Sequence, residues 1–410
     1  MTNHRNIRGG ITRRDLLTRA GIAALGAGVL PRAARAVPSP AAPVALAQCP
    51  SYGAELLPTL TRMFDQLGGL GGLVKGKTVA IKVNMTGNPD SRLGYVPIGC
   101  TAWTHPAVIG AAVHLMGRAG AKRIRLLESP WKSAEPIEEQ MVAAGWDPAM
   151  FTSAASGVEF ENTNFLGYGK QYFRFNVPNG GHLFPAFDLN HSYRDCDVFV
   201  SIGKMKEHTT AGITLSMKTC FGITPCTIYG DGAGENEPGL LPNGGRYPIH
   251  NGYRGPSRSS PQEIDPKSPR DGGYRVPRCV SDLVAARPVH LAIIDGVESQ
   301  TSGEGINPNT KHVTPHVLVA GTNTVCVDAV GVVVMGFDPM ADRGTAPFEL
   351  CDNMLRLAEE LGVGTRDLKR IEVIGASIRE AVFDFRKASG ATPRTLPSWD
   401  RGGGRSGGRG

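Results

Sequence analysis

Residues 197–208 read Asp-Val-Phe-Val-Ser-Ile-Gly-Lys-Met-Lys-Glu-His, an apolar run that passes without a break into charged residues. A short continuous run of Val, Phe and Ile is typical of a strand buried on both faces of a parallel sheet. The pattern therefore predicts a strand over 197–202. The lysines and the histidine that follow it are expected at the end of the strand, on the edge of the sheet.

Similar short apolar runs recur along the chain and alternate with helical patterns. Further strands are predicted over 78–83, 123–127, 290–294, 316–320 and 371–374. Helices are predicted near 105–119, 134–144, 210–220, 280–286, 324–335 and 347–361. Strands that alternate with helices indicate an α/β fold. We therefore expect a mostly parallel, doubly wound sheet.

Two stretches interrupt this alternation. Residues 152–191 combine aromatic and turn residues, which predicts a small antiparallel addition. Residues 229–276 are rich in Gly, Pro and charge and have no period, and an irregular insertion of this length is usually functional or disordered. The expected organisation is an N-terminal segment with a helix over 37–76, an α/β domain over 77–386 that contains the insertion, and a disordered Gly/Arg-rich tail over 387–410.

The positive charge is concentrated at the N-terminus. The chain has a formal net charge of +7, but residues 1–36 hold seven arginines and one acidic residue, so the rest of the chain is nearly neutral. A nucleic-acid-binding protein needs a basic surface that can neutralise phosphates. The distribution of charge therefore argues against nucleic acid as a partner.

Residues 1–36 have the layout of an export signal. The pair Arg13-Arg14 precedes a weakly apolar stretch over 20–30, and small residues end at Ala36. Paired arginines before such a stretch are typical of twin-arginine signals, although an ordinary basic amphipathic N-terminus is the alternative. We expect cleavage after Ala36 by way of the twin-arginine export machinery, a periplasmic or otherwise exported location, and no stable membrane span in the mature protein.

Cysteine spacing limits the cofactors. The chain has eight cysteines but no C-x-x-C, so it carries no iron–sulfur motif of the ferredoxin type. Cys220 and Cys226 are the closest pair, and they are expected as two buried thiols, as a bridge or as metal ligands. The sequence identifies no cofactor from its cysteines.

Polar residues follow several of the predicted strands. The carboxyl ends of parallel strands share one edge, where ligands of open α/β sheets bind. Clustered ammonium groups repel one another unless an anion compensates them, so we expect a site for a small anionic ligand at this edge. The alternative is a set of solvated surface lysines. The anion-binding candidates are Lys82, Asn84, Lys204, Lys206 and Lys218.

Acids and an imidazole accompany these lysines. His208, Asp295 and Glu304 are candidates for proton transfer, and Glu304 lies between two glycines that allow close approach of a ligand. Nitrogen and oxygen donors of this kind also suit a divalent metal, with His208, Glu128 and Asp295 as candidate ligands.

The motifs occur in the order seen in a known family. They are Lys82-Val83-Asn84, Thr104-His105-Pro106, Lys204-Met205-Lys206-Glu207-His208, Thr214-Leu215-Ser216-Met217-Lys218, Phe221-Gly222, Asp295-Gly296, Gly303-Glu304-Gly305, Val327-Asp328-Ala329 and Met335-Gly336-Phe337-Asp338. This sequence resembles the uncharacterised family called domain of unknown function 362. The resemblance implies an α/β domain often found near redox proteins, and so a redox protein as a partner, but no known reaction. Many relatives have Lys-Asn before Phe-Gly, where this chain has Lys218-Thr219-Cys220.

Two classes of function fit these observations. One is an exported enzyme that holds an anionic substrate with lysines while His208, Glu304 or Asp295 moves a proton, with or without a metal. The other is a periplasmic binding or cofactor-delivery protein that uses the same site without chemistry. Neither the substrate nor the reaction follows from the sequence.

Overall fold

The computed structural model describes residues 39–131, 133–167 and 169–390. A nine-stranded sheet dominates it, with the order β13-β1-β12-β9-β7-β2-β3-β4 and with β8 beside β7. The strands of the chain are β1 Val44–Gln48, β2 Thr78–Val83, β3 Arg123–Glu128, β4 Val158–Asn162, β5 Phe173–Asn176, β6 Ala186–Leu189, β7 Val198–His208, β8 Gly212–Thr214, β9 Leu291–Gly296, β10 Ser299–Gln300, β11 His312–Val313, β12 Val317–Gly321 and β13 Val373–Gly375.

The sheet is mostly parallel, as predicted. Strands β4, β3, β2, β7 and β9 run in one direction, and β12 is antiparallel to both of its neighbours, β9 and β1. The carboxyl ends of β2, β3, β7 and β9 therefore lie on one edge. This edge carries the candidate site.

Helices cover both faces of the sheet. They are α1 Leu56–Gln66, α2 Gly71–Val74, α3 Pro106–Arg118, α4 Ile137–Ala143, α5 Ala149–Thr152, α6 Leu215–Thr219, α7 Cys226–Tyr229, α8 Tyr247–His250, α9 Gly272–Ala286, α10 Thr324–Val334, α11 Met354–Glu360, α12 Ile378–Ala381 and α13 Phe385–Ser389. Successive strand residues point to opposite faces, so Val198 and Val200 join the core beneath α1 and α3, while Phe199 joins the core beneath α9 and α10. The doubly wound α/β prediction is confirmed.

Several local predictions are wrong in detail. Strand β1 was not expected, and β4 belongs to the large sheet rather than to the antiparallel addition, which consists of β5 and β6. The helix expected over 210–220 is reduced to α6. Leu215 has a positive φ of 45°, which breaks the helix before it, and the preceding residues instead pair with the extended end of β7.

The insertion over 229–276 is ordered. Arginine side chains satisfy backbone carbonyl groups that a long irregular segment would otherwise leave unpaired. Arg254 donates to the carbonyls of Asp231 and Ala233 at 2.8 and 3.0 Å. Arg275, which is buried in α9, forms an ion pair with Glu263 at 2.6 Å. The segment therefore forms a fixed wall beside the sheet.

The predicted export signal over 1–36 lies outside the described residues, as do residues 391–410 of the predicted tail. Helix α13 extends into the first residues of the segment expected to be disordered. Within the part of the chain that the structure describes, no helix is both long enough and apolar enough to cross a bilayer.

Candidate functional site

A cavity of about 480 Å³ opens at the carboxyl edge of the sheet. Six residues singled out from the sequence line it: Lys82, Asn84, Glu128, His208, Lys218 and Glu304. The other three, Lys204, Lys206 and Asp295, do not reach the cavity and are fully buried. The sequence thus located the edge correctly, but the structure separates its polar residues into groups with different surroundings.

The first group is the ion pair of Lys82 with Glu128 on adjacent strands. The Lys82 Nζ lies 2.8 Å from the Glu128 carboxylate and also donates to the carbonyl of Val83 at 2.6 Å. The carboxylate accepts from the backbone N–H groups of Met85 and Ser129. Burial lowers the pKa of Lys82 and raises that of Glu128, and the attraction between the two groups opposes both shifts. Both side chains are saturated with partners.

Gly222 lies directly against this pair. A Cβ atom at Gly222 would lie 2.8 Å from Lys82 Nζ and 3.0 Å from a Glu128 oxygen. Only glycine lets the backbone approach so closely. The close contact with this ion pair therefore explains why glycine is present at position 222.

The second group is the ion pair of Lys204 with Asp295, which has no exposed surface. The Lys204 Nζ lies 2.9 Å from Asp295 and donates to the Tyr52 hydroxyl and the Gly99 carbonyl at 3.0 and 2.7 Å. Asp295 also accepts from the Tyr52 hydroxyl and from the N–H of His105, the residue that caps α3. This network joins β7, β9, the N-terminus of α3 and the segment after β1.

The third group consists of cations without an acidic partner. Among the described residues, no carboxylate lies at ion-pair distance from Lys206, Lys218 or Arg246. Lys206 makes one long contact, 3.4 Å to the carbonyl of Glu304, and burial lowers the pKa of Lys206 to about 8. Arg246 donates to the carbonyls of Thr224 and Ser129. Lys218 and Arg246 both line the cavity.

Lys218 is the least satisfied of these cations. Its Nζ lies 4.1 Å from the centre of the Phe221 ring, and within the described chain it has neither a hydrogen bond nor an ion pair. Burial lowers the pKa of Lys218 to about 7, and the charges of Lys206 and Arg246 act in the same direction. An anion in the cavity would relieve this unfavourable environment.

Helix α6 presents Lys218 to the cavity, and Asp328 of α10 holds that helix. The Asp328 carboxylate accepts from the backbone N–H groups of Ser216 and Met217 at 2.9 and 2.8 Å, at the positive end of the helix. Burial raises the pKa of Asp328 to about 7. The Val327-Asp328-Ala329 motif is therefore a positioning element for Lys218.

His208 and Glu304 also line the cavity. The Nδ1 atom of His208 accepts from the N–H of Thr210 at 3.2 Å, so the neutral ring carries its proton on Nε2. Burial lowers the pKa of His208 well below its ordinary value. A neutral imidazole on a cavity wall can exchange a proton with a ligand.

Glu304 lies in the loop between β10 and β11 and lines the cavity. Its carboxylate lies 3.5 Å from His208 Nδ1 and accepts from the N–H of Thr209 at 2.8 Å. Burial raises its pKa, but this hydrogen bond and the charge of Lys206 act against burial, and the pKa of Glu304 falls to about 2. Glu304 is therefore ionised near neutral pH and partly offsets the cations.

The insertion supplies cavity residues that were not expected. Arg246, Tyr247 and His250 lie on or beside α8 and line the cavity together with Phe221 and Trp131. Burial lowers the pKa of His250 to about 3. Arg246 gave no signal in the sequence, because the pattern around it has no period from which its position could be inferred.

Asn84 lines the cavity and donates to the Thr219 hydroxyl at 3.2 Å. The metal ligands suggested by the sequence are not brought together. Glu128, Asp295 and His208 belong to three separate groups, and the described residues contain no cluster of three or more His, Cys, Asp or Glu side chains.

The part of this chain that is similar to known proteins contains the candidate site. A family model described as a domain of unknown function (DUF362) matches residues 79–333, which include β2 through most of α10 and every cavity residue named above. A thylakoid-associated protein of Synechocystis is 30% identical over 185 residues, which are 44% of this chain and 50% of that protein. The chain spans about half the length of this curated relative.

A solved structure from Thermotoga maritima is more distant. The two chains are 13% identical, and the alignment covers 60% of this chain and 50% of that chain with a TM-score of 0.32. This likeness is too weak to carry any argument.

Proposed function

We propose, for a chain that belongs to the domain of unknown function 362 (DUF362) family, that the cavity at the carboxyl edge of the sheet binds a small organic anion. The observation that carries the proposal is the group of cations without acidic partners. Lys206, Lys218 and Arg246 have no carboxylate at ion-pair distance within the described residues, whereas Lys82 and Lys204 are each paired with one.

Buried charges are normally paired, because an isolated ion loses its hydration without compensation. Lys218 and Arg246, which line the cavity, and the buried Lys206 therefore favour a ligand that supplies negative charge. Three acidic residues line the cavity: Glu128 is paired with Lys82, and neither Asp90 nor Glu304 lies at ion-pair distance from a lysine among the described residues. Lys218 and Arg246 on the cavity wall therefore leave room for an anionic ligand.

The size and lining of the cavity indicate the rest of the ligand. A volume of about 480 Å³ suits a small molecule rather than a polymer. Trp131, Phe221 and Ile306 contribute apolar surface beside the cations. We infer a ligand with an anionic group near Lys218 and Arg246 and an apolar portion against these side chains.

Catalysis and simple capture use this same site. His208 on the cavity wall is compatible with an enzyme, because its neutral ring can donate a hydrogen bond from Nε2 to a bound ligand. A non-catalytic binding or delivery protein requires only the cations. Binding is therefore the part of the function that both alternatives share, and it is tested first.

The test is titration calorimetry of the full chain with inorganic phosphate and with pyridoxal 5′-phosphate, an organic phosphate with an aromatic ring. Arg246→Gln and Lys218→Met should each weaken binding by about tenfold or more, since each removes a charge-assisted contact. Lys122→Met, at an exposed lysine before β3, is the matched control and should bind like wild type.

Circular dichroism of each variant checks that the fold is intact. Failure of both anions to bind wild type, or equal affinity in wild type, Arg246→Gln and Lys218→Met, would contradict the proposal.

A further inference from the structure

We propose that Lys218 is an amine nucleophile that condenses with a ketone or aldehyde carbon of the bound anion to form an imine. The inference rests on the proposed function, because the anionic group, held by Arg246, brings the carbonyl carbon to Lys218. It names the substrate class: a small carbonyl compound that also carries a carboxylate or phosphate group.

The position of the Lys218 amine supports this role. Its Nζ lines the cavity against the face of Phe221 and makes neither a hydrogen bond nor an ion pair with the described residues. The side chain is 9% exposed, so little water solvates the ammonium form. Lys82 lines the same cavity but donates to both Glu128 and the Val83 carbonyl, which hold its amine in place. Of these two lysines, Lys218 is the one that can react.

Burial favours the neutral amine of Lys218, and the neighbouring charges act in both directions. Glu304 favours the ammonium form, whereas Lys206 and Arg246 oppose it. The charges of Lys206 and Arg246 lower the pKa of Lys218. A lysine that is desolvated beside other cations is activated as a nucleophile. The lowered pKa of Lys218, about 7, agrees with this geometry. At neutral pH about half of the molecules then carry a reactive amine, against well below one in a hundred for an ordinary lysine.

Imine formation requires neither an oxidant nor a second substrate. The nitrogen lone pair attacks the carbonyl carbon, a C–N bond forms, and the carbonyl oxygen takes a proton to give a carbinolamine. That oxygen then leaves as water while the nitrogen gives up its protons, and a C=N bond remains. The protons released by nitrogen pass to the leaving oxygen by way of solvent in the cavity, and His208, protonated on Nε2, can donate a hydrogen bond to that oxygen.

The experiment uses pyridoxal 5′-phosphate, a phosphate with an aldehyde, and sodium cyanoborohydride, which reduces an imine to a stable amine. Peptide mass mapping of the full chain then measures the labelling rate of each lysine. At neutral pH, Lys218 should be labelled at least about ten times faster than exposed Lys122. Its rate should rise with a midpoint near pH 7.

Two controls separate the imine from simple binding. Lys218→Arg has no primary amine at this position, so it should lose the fast label, while phosphate binding is measured by calorimetry on the wild-type chain. Inorganic phosphate should slow labelling of Lys218 and leave Lys122 unchanged.

Labelling of Lys218 no faster than Lys122, while phosphate still binds, overturns the imine and leaves the anion site intact. Fast labelling of Lys218 in a protein that neither binds phosphate nor is protected by it contradicts the proposed function instead.

Discussion

Four lysines near one edge of the sheet differ in what surrounds their amines. Lys82 and Lys204 each lie within 3 Å of a buried carboxylate and donate to backbone carbonyls as well. Lys206 and Lys218 have comparable burial but no carboxylate at ion-pair distance among the residues described. The same residue type therefore occurs in two electrostatic states a few residues apart.

The difference separates structure from binding. A paired lysine is neutralised within the fold, and removing it leaves a buried carboxylate uncompensated. An unpaired lysine beside a cavity adds nothing to the fold that an apolar side chain could not supply. Variants of the paired lysines should therefore affect stability, and variants of Lys218 should affect ligands.

Replacing Lys204 tests the paired class. In Lys204→Met the Asp295 carboxylate remains buried without its cation, and the loss of unfolding free energy should be about 3–5 kcal/mol. Chemical denaturation measures it. Lys218→Met is the comparison, and an equal loss in both variants would remove the distinction between the two classes.

Gly222 tests how tightly the Lys82–Glu128 pair is enclosed. A Cβ in Gly222→Ala meets Lys82 Nζ at 2.8 Å, so the pair must shift, at a cost of about 1–3 kcal/mol in unfolding free energy. Gly305→Ala, on the cavity rim, has open space around the added Cβ and is the control. Thermal melting of both variants gives the comparison, and equal melting temperatures would show that the pair tolerates displacement.

The pH dependence of Lys218 gives the smallest expected effect. The folded state lowers the pKa of Lys218 from 10.5 to about 7, so between these values the unfolded chain binds a proton that the folded chain has released. Stability due to this group therefore rises as the pH increases from 7 toward 10. Lys218→Met removes the cost of releasing this proton, so it should be at least as stable as wild type at pH 7 and should lack this rise.

Urea denaturation of wild type and Lys218→Met between pH 7 and 9 measures the difference in slope. Parallel pH profiles would mean that the folded state does not perturb the Lys218 amine.

The sequence predicted the sheet because apolar periodicity is local. Strand β2 was predicted with its observed bounds, and the polar residues after β2, β3, β7 and β9 were correctly expected at one edge. Strand β1 was missed, because this segment of five residues lies outside the main alternation of strands and helices. It becomes a strand by pairing with β12 and β13. The helix predicted over 210–220 was too long, because the positive φ of Leu215, which ends helical conformation there, does not follow from helix propensity.

The sequence by itself determined which polar residues lie at the ends of the apolar runs, since each run is local in the chain. Only the tertiary structure decided which lysines are neutralised. Asp295 and Glu128 come from other strands, Arg246 comes from an insertion without any period, and Lys218 meets no carboxylate among the described residues. Charge compensation depends on distances of a few ångströms between residues far apart in the chain, and those distances exist only in the folded protein.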